Sequence, residues 1–435
     1  MDKKQLKEFV CKQIDAHAAK VTACVESIAQ EAELGYKEHK TAAKVAKFFD
    51  ELNIPHRDGL AITGIKGELG KGDINVAVIG ELDAVVCTEH PLADSATGAA
   101  HACGHNLQIG AMLAVATAFS SREILQYLPG RITFFAVPAE EYVEITYRNK
   151  LREQGKIKYL GGKQELIHLG EFDDIDLSMM VHSQKSAPTD YIAIGKSSNG
   201  FIGKSIQYIG KVSHAGEAPE AGVNALNAAM MGLMGIHALR ETFRDQDTIR
   251  FHPIITKGGD LVNSVPADVR IESYVRAKTM KAIDETHTKV DQALRAGAMA
   301  IGADVVIETT PGYLPLVSEL TMNDLFVANS REITPNIEVH EVEHFGGSTD
   351  IGDVSHIMPT IQPFVGGTDG LLHSKDFHSV DYTKSVINPA KAMAMTVIDL
   401  LFDQAALAKQ IKQEFKPVFT KAEYLAKLDS YFSKK

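Results

Sequence analysis

The sequence predicts an α/β protein carrying a second, α+β module inserted into it. Three observations carry this. Short, nearly continuous apolar runs alternate with helical stretches up to about residue 195, alternating apolar–polar strands follow, and the first pattern returns after about residue 310. Continuous apolar runs suit strands covered on both faces, whereas strict alternation suits a sheet with one wet face.

Residues 3–31 read as an amphipathic helix, Leu34-Gly35-Tyr36 as a break, and Thr41 to Leu52 as a second helix. Ile74 to Ile79 is a buried strand ending in Gly80-Glu81-Leu82-Asp83. A helix covers 105–119, and Arg131 to Val137 is a second buried strand, ending in Pro138-Ala139-Glu140-Glu141. Leu177 to Val181 is a third, ending in His182. Strands alternating with helices in this way argue for an α/β sheet.

Lys204 to Lys211 and Val269 to Ala277 alternate, with Val269, Ile271, Ser273 and Val275 facing one way and Arg270, Glu272, Tyr274 and Arg276 the other. Helices at Gly222 to Thr242 and Met280 to Ile301 and a strand at Asp304 to Thr309 accompany them, and the order is read as β-α-β-β-α-β, that of a ferredoxin-like domain. Strands at 338–343 and 360–365 and a helix from Pro389 to Phe402 then resume the α/β pattern, with Asn388 as N-cap and Pro389 at the first helical position. The expected organisation is a first domain in two parts, 1–195 and 311–435, around an insert at 196–310. The lysine-rich tail, 404–435, reads as a solvated helical face.

A chain of 435 residues is too long for one small core. Its net charge of -11, with no basic run, argues against nucleic acid as a partner. The four cysteines form no CxxC and no regular framework, which fits a reducing, cytoplasmic setting. Met1 to Lys7 lead into a polar helix instead of an apolar signal core. No continuous apolar run reaches the roughly 20 residues that cross a bilayer, so no membrane is expected.

The chemistry concentrates in His101-Ala102-Cys103-Gly104-His105-Asn106, just before the helix. A thiolate is favoured at a helix N-terminus. Sulfur and imidazole donors there suit zinc, manganese or cobalt. Alone, such a pair also fits a buried, inert cysteine. Ligands bind in open α/β sheets beyond the carboxyl ends of strands. Glu81, Asp83, Glu140, Glu141 and His182 all sit at such ends, and Gly367 to Ser374 add a loop bearing His373. Converging carboxylates, histidines and a cysteine would hold two divalent ions, which activate a water and steady an oxyanion. Neighbouring side chains diverge, so Glu141 reads as ligand and Glu140 as general base. Singly, each has a plainer reading: His182 as a core histidine, His373 as a surface one, the Glu140–Glu141 pair as a solvated loop.

The segments ELGYKEH (33–39), GELDAV (80–85), HACGHN (101–106), PAEE (138–141), VH (181–182), SHAGEAPEAGVNAL (213–226), NSVPADVRIESYVRA (263–277), STDIGDVSHIMP (348–359) and HS (373–374) come in an order that resembles the aminoacylase–carboxypeptidase metallopeptidases. The likeness is greatest to the amidohydrolase branch, with its auxin-conjugate hydrolases, aminobenzoyl-glutamate hydrolases and β-alanyl-lysine-type dipeptidases. The resemblance spans nearly the whole chain. It implies a zinc-exopeptidase-like α/β/α catalytic domain whose ferredoxin-like insert serves as a lid and joins two copies into a homodimer.

By position, the resemblance implies Cys103, His105, Glu141, His182 and His373 as ligands of two divalent ions, zinc or manganese with cobalt possible, Cys103 bridging. It implies Glu140 as the base, His214 as a lid histidine that stabilises the oxyanion in the partner's site, and Asn263 and Arg276 near the substrate carboxylate. This chain departs from the family at two places. Asn106 stands where Asp is common, and Glu81 replaces the first carboxylate of a DxD motif. Both, with Asp83, are therefore expected behind the ligands, orienting them.

The leading expectation is hydrolysis of the amide bond of an N-acyl amino acid, an aminobenzoyl-glutamate-like conjugate or a small dipeptide. Two others stay open: a Cys103–His105 thiol hydrolase, and a catalytically inactive metal-containing dimer that binds a small molecule or a partner. A Cys-x-His spacing makes poor dyad geometry, and no third orienting group is evident.

Overall fold

The computed structural model describes residues 1–185 and 190–434. The chain divides into two compact units: Met1–Lys196 with Val317–Glu343 and Asp353–Thr420, and Ser197–Leu316 with His344–Gly352 and Lys421–Lys435. The second unit thus takes in two segments, 344–352 and 421–435, that sequence order alone assigns to the α/β part.

The first unit is built on a six-stranded sheet in the order His56–Leu60, Gly64–Lys71, Gly130–Val137, Asn75–Glu81, Leu177–Met179, Thr360–Ile361. The last four run parallel, and the first two add antiparallel edge strands. Asn75–Glu81 is buried at every position, as its nearly continuous apolar run predicts. Helix His105–Ser120 is buried along nearly its whole length, packed among helices Lys3–Gln30 and Asn388–Glu414 and the central strand. A helix apolar all round belongs in such a core.

Parallel strands share one carboxyl end, and the chain leaves the sheet there at Glu81, Val137 and Met179. The third strand is shorter than its apolar run. It stops at Met179, the chain crosses over, and His182–Lys185 pairs in parallel with Phe364–Asp369 in a second sheet. Backbone bonds from Met180 to Ile361 and from His182 to Pro363 carry it across.

Two expectations need correction. Asn388 is no N-cap: it has helical angles, and a π-turn at Thr383–Ile387 feeds into the helix ahead of Pro389. The wider π-turn accommodates a proline that lacks an N–H. The tail is not a solvated face. Ala405, Ala408 and Ile411 join the first core, and Tyr424, Leu428 and Tyr431 are buried as well. The helix Thr383–Glu414 is also long and apolar enough by composition to cross a membrane, and 83% of its apolar window is buried in the protein, as suits a core helix.

The second unit has strands Gly200–Ile209, Arg250–Lys257, Asp268–Ala277 and Asp304–Pro311 with helices Ala225–Leu239 and Met280–Ile301 in β-α-β-β-α-β order. The antiparallel sheet runs 250–257, 268–277, 200–209, 304–311, with Ser433–Lys434 added at the end. Val269, Ile271, Ser273 and Val275 face the core, as the alternation predicts. The two helices meet at glycines: a Cβ on Gly297 would stand 2.3 Å from the Gly232 nitrogen.

Candidate metal centre

The donors sit on short turns beyond the carboxyl ends of the first unit's strands. Gly104 caps helix His105–Ser120 in a left-handed conformation (φ +80°) that glycine adopts without cost. Two other donors neighbour or occupy positive-φ positions: Ala139 (φ +55°) precedes Glu140 and Glu141, and His373 itself has φ +63°. Non-glycine residues in this region cost about 1–3 kcal/mol each and persist where surrounding contacts over-determine them.

Those contacts are present. The buried Glu38 carboxylate accepts the Ala139 N–H at 2.8 Å and the Thr63 hydroxyl at 2.7 Å. Arg148, fully buried, donates to the carbonyls of Ala139 (3.3 Å), Leu160 (2.8 Å) and Glu141. Asp83 accepts the N–H groups of Glu140 at 3.1 Å and Glu141 at 2.9 Å. The His373 N–H donates to the Ala102 carbonyl at 2.8 Å, tying its loop to the Cys103 turn.

Cys103 Sγ lies 3.5 Å from His182 Nε2 and 3.4 Å from His373 Nε2. His373 Nε2 is also 3.1 Å from Glu141 Oε1. His105 Nε2 stands 3.1 Å from Glu81 Oε2 and 3.8 Å from Glu140 Oε2. Three overlapping donor groups result among the described residues: Cys103–His105–His182, Cys103–Glu141–His373 and Glu81–His105–Glu140, each with its ligand atoms within 4.8 Å of one another.

Imidazole protons are set by their partners. His105 Nδ1 faces the Asp83 carbonyl at 2.9 Å and His182 Nδ1 the Ser183 carbonyl at 2.8 Å. A carbonyl only accepts, so Nδ1 carries the proton and Nε2 presents a lone pair inward. Among the described residues, Glu81 Oε2, His105 Nε2 and Glu141 Oε1 are buried without a hydrogen bond. Buried polar atoms are normally satisfied. Carboxylate oxygens and an imidazole nitrogen aimed at shared points hold protons when no ion is bound and offer electron pairs when one is, and the donor set fits divalent ions.

The electrostatics agree. Burial and Glu141 oppose ionisation of Cys103, yet His182 and His105 outweigh them and bring its thiol down to about 6. Burial also opposes Glu141, but His373 pulls its carboxyl down to about 2. His373 is driven up to about 11 by its contacts with Cys103 and Glu141. Burial opposes protonation of His105 and His182; Glu81 and Cys103 around the first and Cys103 beside the second overcome it and raise both. The cluster draws in positive charge.

The five residues expected as ligands, with Glu140, therefore meet in one place. Glu81 joins them directly through its contact with His105. Asp83 supports them, through the Glu140–Glu141 turn and through its carbonyl on His105. Asn106 lines a cavity with His90, His101 and Tyr382.

His214, Asn263 and Arg276 belong to the second unit. His214 is exposed, and its Nδ1 accepts the N–H groups of Gly216 (3.2 Å) and Glu217 (3.1 Å). The Asn263 carbonyl accepts the Ala215 N–H. Arg276 donates to His252 at 3.1 Å and Ser348 at 2.7 Å and stacks over Phe201.

Sequence reasoning passed over Glu38, Arg148 and Lys163. Each is a charged residue in a polar-looking stretch, and only the fold reveals its burial. The one available hint was Glu38, inside the ELGYKEH segment.

Donors of these types, converging from strand ends of a mixed α/β sheet, equip a metal-dependent hydrolase of amide C–N bonds. Comparison with known proteins makes the assignment particular: the chain belongs to peptidase family M20/M25/M40, whose pattern matches residues 77–398. It is 29% identical to the Xaa-Arg dipeptidase of Mus musculus over 434 residues, covering 94% of this chain and 92% of that one. It is 23% identical to a p-aminobenzoyl-glutamate hydrolase chain of Escherichia coli, covering 95% of each. Its fold resembles that of the YXEP protein of Bacillus subtilis, a dinuclear metal-binding peptidase of the M20 family. That likeness has a TM-score of 0.64 and 18% identity over 89% of this chain and 99% of that one.

Proposed function

We propose that this chain is a two-metal dipeptidase or amidohydrolase that releases an amino acid from a dipeptide or an N-acyl conjugate. The observation that carries it is the shared thiol: Cys103 Sγ lies within 3.5 Å of imidazole nitrogens from two donor groups. One ion would be held by Cys103, His105 and His182, the other by Cys103, Glu141 and His373. Zinc suits the thiolate and manganese the carboxylate, and cobalt fits the same donors. The bound ions supply an acidified water and positive charge for the carbonyl oxygen.

Glu140 takes the proton from the attacking water and returns it to the departing nitrogen. Its backbone is pinned by Asp83, so its carboxylate stays beside His105 as the proton moves. His214 Nδ1 already accepts two backbone N–H groups, which leaves Nε2–H as an outward donor. We assign that donor to the developing oxyanion, presented to the other protomer's site in a homodimer, and Asn263 and Arg276 to the substrate carboxylate, with the second unit acting as lid. The names of the two relatives, an Xaa-Arg dipeptide and an aminobenzoyl amino acid, support an amide joined to an amino acid.

A homodimer is supported by the second unit's surface. Met230, Met231 and Met234 are exposed on one helix, and Ile254 and Ile255 on strand Arg250–Lys257. That strand ends its sheet, with no outer partner among the described residues. Exposed apolar edges invite a second copy. The four cysteines are free thiols, which suits the reducing cytoplasm as its location.

The test is Glu140→Gln, assayed on N-acyl amino acids, p-aminobenzoyl-glutamate and dipeptides ending in a basic residue. Elemental analysis should show unchanged metal content while kcat falls by a factor on the order of 10²–10⁴. Wild-type turnover in that variant would refute the base assignment.

A further inference from the structure

Glu81 and Lys163 form a buried ion pair inside the candidate centre, and neither side chain is exposed at all. Lys163 Nζ donates to Glu81 Oε1 at 2.6 Å. The other oxygen, Oε2, lies 3.1 Å from His105 Nε2 and forms no hydrogen bond. The Asp83 carbonyl holds one His105 proton on Nδ1, so in the neutral ring Nε2 offers a lone pair. A carboxylate oxygen and the lone pair of a neutral imidazole at this distance repel each other unless positive charge, a proton or a cation that displaces it, lies where both point. Burial removes the water that would otherwise screen them.

The pair is rigidly mounted. Glu81 ends the central strand, in register with Val137 of its neighbour. Lys163 lies in the first turn of helix Gly162–Leu169, whose first residue is pressed against the Pro138 carbonyl; a Cβ on Gly162 would stand 1.7 Å from that oxygen. The Lys163 ammonium therefore holds one carboxylate oxygen in place and turns the other toward His105 and Glu140. A lysine spent in this way also offsets the negative charge that a further carboxylate brings to the centre.

We propose that Glu81 is an additional metal ligand, supplying Oε2 to the ion that His105 binds, and that Lys163 is the residue that positions it. This rests on the two-metal reading above and deepens it. A hard carboxylate oxygen added at the His105 position makes that ion the manganese-preferring one, since oxygen donors suit manganese better than sulfur donors do.

The test uses the full-length protein stripped with chelator and titrated with Mn²⁺ or Co²⁺ alone, with calorimetry, manganese EPR and the visible cobalt spectrum as readouts. Wild type should bind two ions. Glu81→Gln should weaken one of them at least tenfold, leave the other unchanged and alter the cobalt spectrum. Glu81→Asp keeps the charge but shortens the reach by one methylene; it should weaken the same ion at least tenfold, and it serves if the glutamine variant does not fold. Lys163→Met should change the spectrum of that same ion. Two ions bound with wild-type affinity and spectrum in Glu81→Gln or Glu81→Asp would overturn the proposal. A wild-type protein that bound no ion would instead overturn the two-metal reading, a distinct result.

Discussion

Glu38 gives the sharpest quantitative prediction. Its carboxylate is buried, and burial together with the nearby Asp83 pushes its pKa from 4.5 up to about 7. The folded protein thus holds this proton more tightly than the unfolded chain does. Below pH 4.5 both states are protonated and the contribution to stability is fully present. Between 4.5 and about 7 only the unfolded chain releases the proton, so stability falls as pH rises. At about 1.4 kcal/mol per unit, the loss is complete above the folded value and totals about 3 kcal/mol. Glu38→Gln removes the ionisation but keeps the shape. Its amide oxygen accepts from Ala139, and its NH₂ faces the Thr63 hydroxyl, which can accept as well as donate. Urea unfolding of wild type and variant from pH 4 to 8 is the assay. Every other titrating group is common to both proteins, so their difference follows Glu38 and its interaction with Asp83. The variant should gain on wild type by about 3 kcal/mol between the ends of that range. Parallel stability curves would refute the reasoning.

Two further outcomes follow from the same contacts. Arg148→Met removes three buried hydrogen bonds around the Ala139–Glu141 turn; the Ala139 and Glu141 carbonyls keep backbone N–H partners from Gly162 and Val143, so stability should fall by about 1–3 kcal/mol, read as a fall in the urea midpoint. In chelated protein at pH 7, iodoacetamide should modify Cys103, whose thiol is held near 6, ahead of Cys11, which burial raises to about 11. Added zinc should protect Cys103, whereas a thiol hydrolase would keep full activity in chelator and lose it only on alkylation.

Much of the architecture was readable because it is local. The strand at Asn75–Glu81 and the helix at His105–Ser120 announce themselves by nearly continuous apolar runs, and the donors flank those runs directly. Strand Asp268–Ala277 shows its two faces residue by residue. Strand Arg250–Lys257 escaped notice because it is a mostly exposed edge interrupted by Pro253, so it carries neither an apolar run nor clean alternation. The crossover at Met179–His182 was hidden for the opposite reason, an apolar run continuing past the point where the chain changes sheets. Within the centre, ligand types could be recognised from residue chemistry at strand ends. The residues that hold those ligands could not, because Glu38, Arg148 and Lys163 look like surface charges until the chain brings their partners from far along the sequence. Glu81 was placed behind the ligands because it departs from the family's DxD pattern; the direction of its second oxygen follows from Lys163, which the sequence does not connect to it.

The central claim, that Cys103 joins two cation sites, is tested most directly by anomalous diffraction from crystals grown with zinc or manganese. The account predicts two peaks, one bounded by Cys103, His105 and His182, the other by Cys103, Glu141 and His373, with the sulfur adjoining both. Density showing these side chains bonded only to one another or to water, with the anomalous signal elsewhere or absent, would contradict it.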